Sequence, residues 1–193
     1  GRIMVAGVPS KSLALGAVAK AAVRSRALAG AGGPGLNACA FHYPGTVAWA
    51  FGVHAVALEV DVETGALRFL KYVAAHDCGR PINPMIVEGQ IHGGLAQGVG
   101  TALGEELIYD EAGQLLTGTF MDYPMPRASV MPPLEIHHLD FPSPINELGI
   151  KGVGESGVVS PAAAIANAVE DALWDRGVRV TRVPLTPARI FEL

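Results

Sequence analysis

The chain has 193 residues, half of them hydrophobic, which is enough apolar material for the core of one domain or of two small ones. A net charge of −4 without any long Lys/Arg run argues against nucleic acid as the main partner and leaves small molecules or other subunits. Cys39 and Cys78 belong to no CxxC or CxxH pattern, so iron–sulfur ligation, structural zinc and a disulfide framework are poorly supported, and a reducing, cytoplasmic setting is expected.

No apolar run reaches the ~18 residues that a membrane span requires, and the start carries no signal-peptide pattern. The chain begins Gly1-Arg2 without methionine, which points to a piece of something longer. Residues 1–9 are expected to form a short strand and turn, with Ser10 or Ser12 capping a helix that runs to Arg26. A glycine-rich loop follows at 30–37, and a subdivision of the chain is expected near 30–45. Residues 46–62 alternate Val47, Trp49, Phe51 and Val53, then Val56, Leu58 and Val60, the period of a half-buried strand with Gly52 as a bulge or bend. The turn at 61–65 leads into a second strand ending near Ala75, paired antiparallel with the first.

From His76 to Pro84 two prolines and a glycine forbid regular structure, and Asn83-Pro84 reads as the cap and first position of a helix over 84–107. That helix carries Gly89, Gly93, Gly94, Gly98, Gly100 and Gly104, each costing about 1 kcal/mol against alanine. Their spacing makes a smooth face for another backbone or a flat ligand. Gln90 sits near the helix start with an amide that both donates and accepts; the plainer alternative is an exposed glutamine. A hairpin is expected at 107–117 around Glu111-Ala112-Gly113, a proline-rich connection at 121–133, a strand at 134–139, a helix over 158–174 and a last strand at 178–183.

The glycine-rich turn from Lys151 to Gly157 precedes that last helix. Its glycines suit close approach to a ligand and φ > 0, Glu155 is its one acidic side chain, and Ser156 and Ser160 can cap the helix beyond. The plainer alternative is a capped turn with a solvent-facing glutamate. Residues 152–157 also fit G-x-G-x-x-G, but no apolar strand precedes them and no acidic residue ends the next strand, against a dinucleotide fold. G-x-S-x-G fails at Val158. The histidines show no metal-ligand spacing, and satisfied or exposed side chains are the expectation.

The order of residues 77–84 (DCGRPINP), 88–94 (EGQIHGG), 98–100 with Glu105-Glu106, and 151–155 (KGVGE) resembles the C-terminal part of the molybdenum-binding subunit of the xanthine oxidase family. It is most similar to large subunits of the aerobic carbon monoxide dehydrogenase type. The resemblance covers most of the chain from about Phe51 to the final helix, and four motifs occur in order. It implies an α+β fold of mixed helices and antiparallel hairpins, with 1–193 as one C-terminal fragment of a cofactor-binding domain. It further implies a molybdenum hydroxylase acting on an aldehyde, an N-heterocycle or carbon monoxide. Glu155 then matches the general base that deprotonates the metal's water-derived ligand before its oxygen attacks an electron-poor carbon. Lys151, Gly152, Val153 and Gly154 match the backbone that lines the cofactor. Cys78, Gly79, Arg80, Pro81, Ile82, Asn83 and Pro84 match the loop around a pterin dinucleotide's diphosphate, and Gln90 matches a glutamine that bonds the cofactor. The cofactor implied is molybdopterin cytosine dinucleotide, held by its own dithiolene, so no protein metal ligand is expected. The implied partners are the remaining half of the molybdenum subunit and iron–sulfur and FAD subunits, and the isolated fragment is expected to hold no tightly bound cofactor.

Overall fold

The computed structural model describes residues 1–25 and 35–193. The chain divides into two compact units, Gly1–Tyr43 and Pro44–Leu193. In the first, β1 (Arg2–Val5) and β2 (Val8–Ala14) pair antiparallel and lead directly into α1 (Leu15–Arg24). Gly7, at φ 79°, makes the turn between them. Ser10 and Ser12 therefore lie in a strand rather than capping a helix: Ser12 pairs with Met4 of β1, and its Oγ accepts from Arg2 Nε at 3.0 Å. Ala14 occupies the cap position without a side-chain bond. Arg26 and most of the expected glycine-rich loop fall outside the described residues.

The second unit is built on a three-stranded sheet in the order β3-β4-β5, with β3 at Phe51–Val60, β4 at Leu67–Asp77 and β5 at Leu134–Leu139. The β3–β4 hairpin forms as expected around Asp61, whose carbonyl accepts the Gly65 N–H at 2.7 Å, with Gly65 at φ 71°. Two details differ. The strand begins at Phe51, leaving Val47 and Trp49 exposed before it, and the register shift falls between Ala57 and Leu58 instead of at Gly52. Gly52 is glycine for space: a Cβ there would come within 2.5 Å of His76 Nδ1. β5 pairs parallel to β4, from Tyr72↔Leu134 to Asp77↔Leu139, so the α+β fold combines an antiparallel hairpin with one parallel edge.

Helix α2 (Pro84–Leu103) starts as its sequence dictates, Asn83 Oδ1 accepting the Ile86 N–H at 3.3 Å and Pro84 filling the first turn, where its missing N–H costs nothing. It stops at Leu103, short of 107, where Pro124 lies against Gly104. At 107–117 only the Tyr109↔Leu115 bridge forms, with Asp110 Oδ1 accepting the Ala112 and Gln114 N–H groups. Helix α3 (Pro161–Ala172) begins at Pro161, and neither its N-cap Ser160 nor any other side chain caps it. One face of the sheet, through Tyr72 and Ala74, packs on Leu95, Val99 and Ala102 of α2 and Ile165 and Val169 of α3.

The expected strand at 178–183 is not one. Val178 is buried in the core, the Val180 N–H is taken by Glu170 Oε2 at 3.2 Å, and the Leu185 N–H by Ala102 O at 2.6 Å, so these donors go to helices instead of a ladder. A further helix, α4 (Pro187–Phe191), follows, capped by Thr186 Oγ1 accepting from the Arg189 N–H; the Thr-Pro pair is the signal that marks it.

The glycine face of α2 is used mainly against protein. A Cβ at Gly94 would lie 2.9 Å from Gly157 Cα, and one at Gly98 would lie 2.6 Å from the Pro161 ring, whereas Gly89 and Gly93 face open space. Gly157 is the tightest of the three glycines in this contact, its Cβ falling 2.4 Å from Ile91 O. Gly157→Ala should lower stability by about 1–3 kcal/mol through forced separation of backbones. Gly93→Ala should raise it by up to about 1 kcal/mol by removing a helix-interior glycine. Urea midpoints of the two variants on either side of wild type check the pair.

Candidate cofactor site

Two loops distant in sequence are joined at the end of the central strand. Asp77, the last residue of β4, has a fully buried side chain. Its Oδ1 accepts the N–H groups of Gly79 at 3.1 Å and Phe141 at 3.0 Å, and its Oδ2 receives the Lys151 ammonium. The Lys151 side chain is only 12% exposed, and Nζ also lies 5.1 Å from the centroid of the Phe51 ring. Burial alone would push the Asp77 carboxyl up. The Lys151 hydrogen bond and the two N–H donors outweigh it and hold the group below the ordinary aspartate value.

The backbones of the loops complete the junction. Gly79 and Ile150 form an antiparallel bridge, the Arg80 N–H donates to Gly149 O at 3.0 Å, and the Lys151 N–H donates to Cys78 O at 2.8 Å. Gly79, at φ 64°, has no alternative here: a Cβ would lie 2.1 Å from Gly149 O. Asn146 fixes the other side, its amide bonding both backbone groups of Ile150.

The candidate residues divide by what they present. Cys78 packs with Val87 and Ile91, and with Val153 and Ile136 at the edge of that cluster, so Cys78 and Val153 put their side chains into the packing. Burial, followed by the charge of Asp77, pushes the Cys78 thiol up. Gly79 is buried, Pro81 half-buried, and Arg80, Ile82, Asn83 and Pro84 are exposed. Arg80 has no salt bridge among the described residues. Gln90 is exposed one helical turn before Gly94, and so on the side of α2 that the Glu155 turn touches. Gly152, Gly154 and Glu155 are exposed, and a Cβ at either glycine would meet nothing. The expected φ > 0 in this turn is not used; Gly149, at φ 69°, supplies it just upstream. Of the three glycines, Gly157 serves contact with α2, leaving Gly152 and Gly154 as open backbone.

This surface fits a polar, anionic group. The N-terminus of a 20-residue helix lies open four residues after Arg80, which is exposed and forms no salt bridge among the described residues, and Gly152 and Gly154 leave open backbone in the adjoining turn. The dinucleotide-fingerprint alternative lacks its strand, since 142–149 is irregular. Among the described residues no His, Cys, Asp or Glu cluster could hold a metal ion, and no helix is long and apolar enough to cross a membrane.

Residues 1–132 match the family model of the molybdopterin cofactor-binding domain, and the chain belongs to that family. It is similar to the nicotine 6-hydroxylase large subunit of Paenarthrobacter nicotinovorans, 47% identical over 141 residues that make up 73% of this chain and 17% of the relative. The carbon monoxide dehydrogenase large chain of Hydrogenophaga pseudoflava is 39% identical over 159 residues, 82% of this chain and 20% of that one. The crystal structure of quinoline 2-oxidoreductase from Pseudomonas putida 86 superposes on 100% of this chain and 25% of its own, with a TM-score of 0.90 at 46% identity. The chain thus spans a quarter or less of the length of these relatives. The Glu155 turn lies beyond the residues matched by the family model but within that structural superposition.

A second polar arrangement escaped the sequence reading. The Tyr72 hydroxyl meets His54 Nδ1 at 2.8 Å, and His54 Nε2 meets His76 Nε2 at 2.7 Å, while His76 Nδ1 is buried without a partner. The signal was present: both histidines fall on the inward phase of the β3–β4 alternation. Burial, followed by the neighbouring His76, pulls His54 down to about 4; burial, followed by His138, lowers His76. An unfolded histidine binds its proton near pH 6.5, so between pH 6.5 and 4 the unfolded chain holds protons that the folded one refuses. Stability should be complete above pH 6.5 and decline as pH falls through that window. Urea midpoints at pH 7.5 and 5 should differ in wild type, and the difference should shrink in His54→Gln.

Proposed function

We propose that this chain forms one wall of the cofactor site in a molybdenum hydroxylase, with Glu155 as general base. The junction at Asp77 carries the reading, because it sets the 78–84 loop and the 151–155 turn side by side. When bound, the molybdenum–pterin group supplies two-electron redox chemistry and an oxygen derived from water. The residues of this chain supply the surroundings. Arg80 and the α2 N-terminus neutralise diphosphate charge, the open backbone at Gly152 and Gly154 admits close approach, and the Gln90 amide satisfies polar edges. The exposed Glu155 carboxylate accepts a proton at one of its oxygens.

The resemblance to the carbon monoxide dehydrogenase type favours the cytosine dinucleotide form of the cofactor. Among substrate classes we favour an N-heterocycle. Nicotine and quinoline are named in relatives at 47% and 46% identity, against 42% for a carbon monoxide dehydrogenase large chain from Afipia carboxidovorans. The remaining part of the molybdenum subunit and iron–sulfur and FAD subunits complete the electron path. Relatives named as a large subunit and as a dehydrogenase complex subunit support an assembly of that kind. The unpaired Cys39 and Cys78 are in keeping with a cytoplasmic setting.

Glu155→Gln in the full assembly keeps the shape of the side chain and removes its basicity. Turnover per bound molybdenum should fall about 10²–10⁴-fold with cofactor content unchanged. Wild-type turnover in the fully loaded variant would remove the assignment. Gln90→Ala should lower molybdenum occupancy by elemental analysis, because polar edges of the cofactor lose a partner in a site shielded from water.

A further inference from the structure

We propose that Asp77 is a positioning residue: its carboxylate, acting through Lys151, holds the Glu155 turn at a fixed place beside the 78–84 loop. The inference rests on the reading of Glu155 as the base, and the geometry supports it at three levels.

The first is where the anchor sits. β4 is the middle strand, and at its last position Asp77 is paired with Phe51 of β3 on one side and Leu139 of β5 on the other. The carboxylate is thus mounted on the part of the sheet braced from both edges. Its Oδ1 is committed to the Gly79 and Phe141 N–H groups, which leaves Oδ2 directed at Lys151. The Phe51 ring lies over the ammonium, its centroid 5.1 Å from Nζ, and Phe141 packs on Phe51 with ring centroids 6.0 Å apart.

The second is how the turn is otherwise held. Downstream, Gly157 is pressed on Ile91 and Gly94 of α2. Upstream, Lys151 is bound through its side chain to Asp77 and through its N–H to Cys78 O. Between these anchors Gly152, Gly154 and Glu155 are exposed, with only the local bonds Ser156 N–H to Val153 O at 3.2 Å and Val158 N–H to Glu155 O at 3.1 Å. Two glycines in that span leave it without stiffness of its own. The height of Glu155 is therefore set by its two ends and by the Val153 side chain, which packs on Cys78, Val87 and Ile91; of these holds, the lysine end supplies the directional, charged tie to the cofactor loop.

The third is the chemistry of the tie. A lysine four residues from an exposed carboxylate would ordinarily extend its charge into water; this one is nearly buried. A buried pair of this kind adds little net stability, but removing one partner strands the other, so its contribution lies in specifying a geometry. Misplacement of a catalytic group by ~1 Å can cost about 10²-fold in rate.

The test uses the full-length subunit assembled with its partners, as wild type, Lys151→Met, Lys151→Arg and Asp77→Asn. Hydrogen exchange is followed in a peptide covering 149–157, with a peptide from α2 as internal reference. Lys151→Met and Asp77→Asn should accelerate exchange in 149–157 at least tenfold with α2 unchanged, and Lys151→Arg should restore it to within about twofold. Turnover per bound molybdenum should fall about 10- to 100-fold in Lys151→Met and recover in Lys151→Arg. Unchanged exchange in 149–157, equal acceleration in α2, or wild-type turnover in a loosened turn would each overturn the inference. If Asp77→Asn fails to assemble, the lysine variants decide, because Asp77 keeps its Gly79 and Phe141 donors in both. Glu155→Gln run alongside separates the two readings: full activity there removes the base assignment, while the exchange result judges the tie independently.

Discussion

Taking a carboxylate out of water is costly unless every lone pair finds a donor, and the organisation of the candidate site follows from how Asp77 meets that demand. Two of its donors are backbone N–H groups from the segments leaving β4 and β5, and the third is an ammonium from the turn before α3. Satisfying one buried group therefore gathers three separate stretches of chain at one end of the sheet. The Gly79–Ile150 bridge and the paired backbone bonds beside it then follow as short-range consequences. Had this position been apolar, the same segments could pack together without a defined offset, since apolar contact is not directional.

The second constraint is the closeness of α2 and the start of α3. Glycines at 94, 98 and 157 remove the side chains that would keep these backbones apart, and each sits where a Cβ would fall within 3 Å of another heavy atom. This contact anchors the far end of the Glu155 turn, while the Asp77 pair anchors the near end. Between them Val153 packs inward, while Gly152, Gly154 and Glu155 are left open on the same side of α2 as Gln90. A surface with exposed backbone amides and a guanidinium that forms no salt bridge among the described residues, mounted on rigid packing, suits the recognition of a large anionic group.

The inward face of the sheet combines apolar contacts with a polar row, Tyr72, His54 and His76, in which burial, followed by the neighbouring histidines, favours neutral imidazoles. The position of Gly52 shows the same logic in reverse: a strand glycine read as a bend from local propensity is there because the His76 ring occupies the space. Local pattern identified the strand, but the cross-strand neighbour determined the reason for the glycine.

Features settled within a few residues were legible from the chain alone. The Asp61–Gly65 turn, the Asn83-Pro84 cap and the strand over Leu134–Leu139 depend on dihedral preferences and on donors and acceptors close in sequence. The parallel pairing of β5 with β4, the diversion of 178–185 from strand to helix contacts, and the division of labour among the glycines were not, because each depends on which distant segment arrives. The sharpest case is the pair formed by Asp77 and Lys151, 74 residues apart. Both residues stood inside recognised motifs. No spacing rule couples two charges across such a separation; what couples them is the removal of both from water when the sheet and the two loops close together.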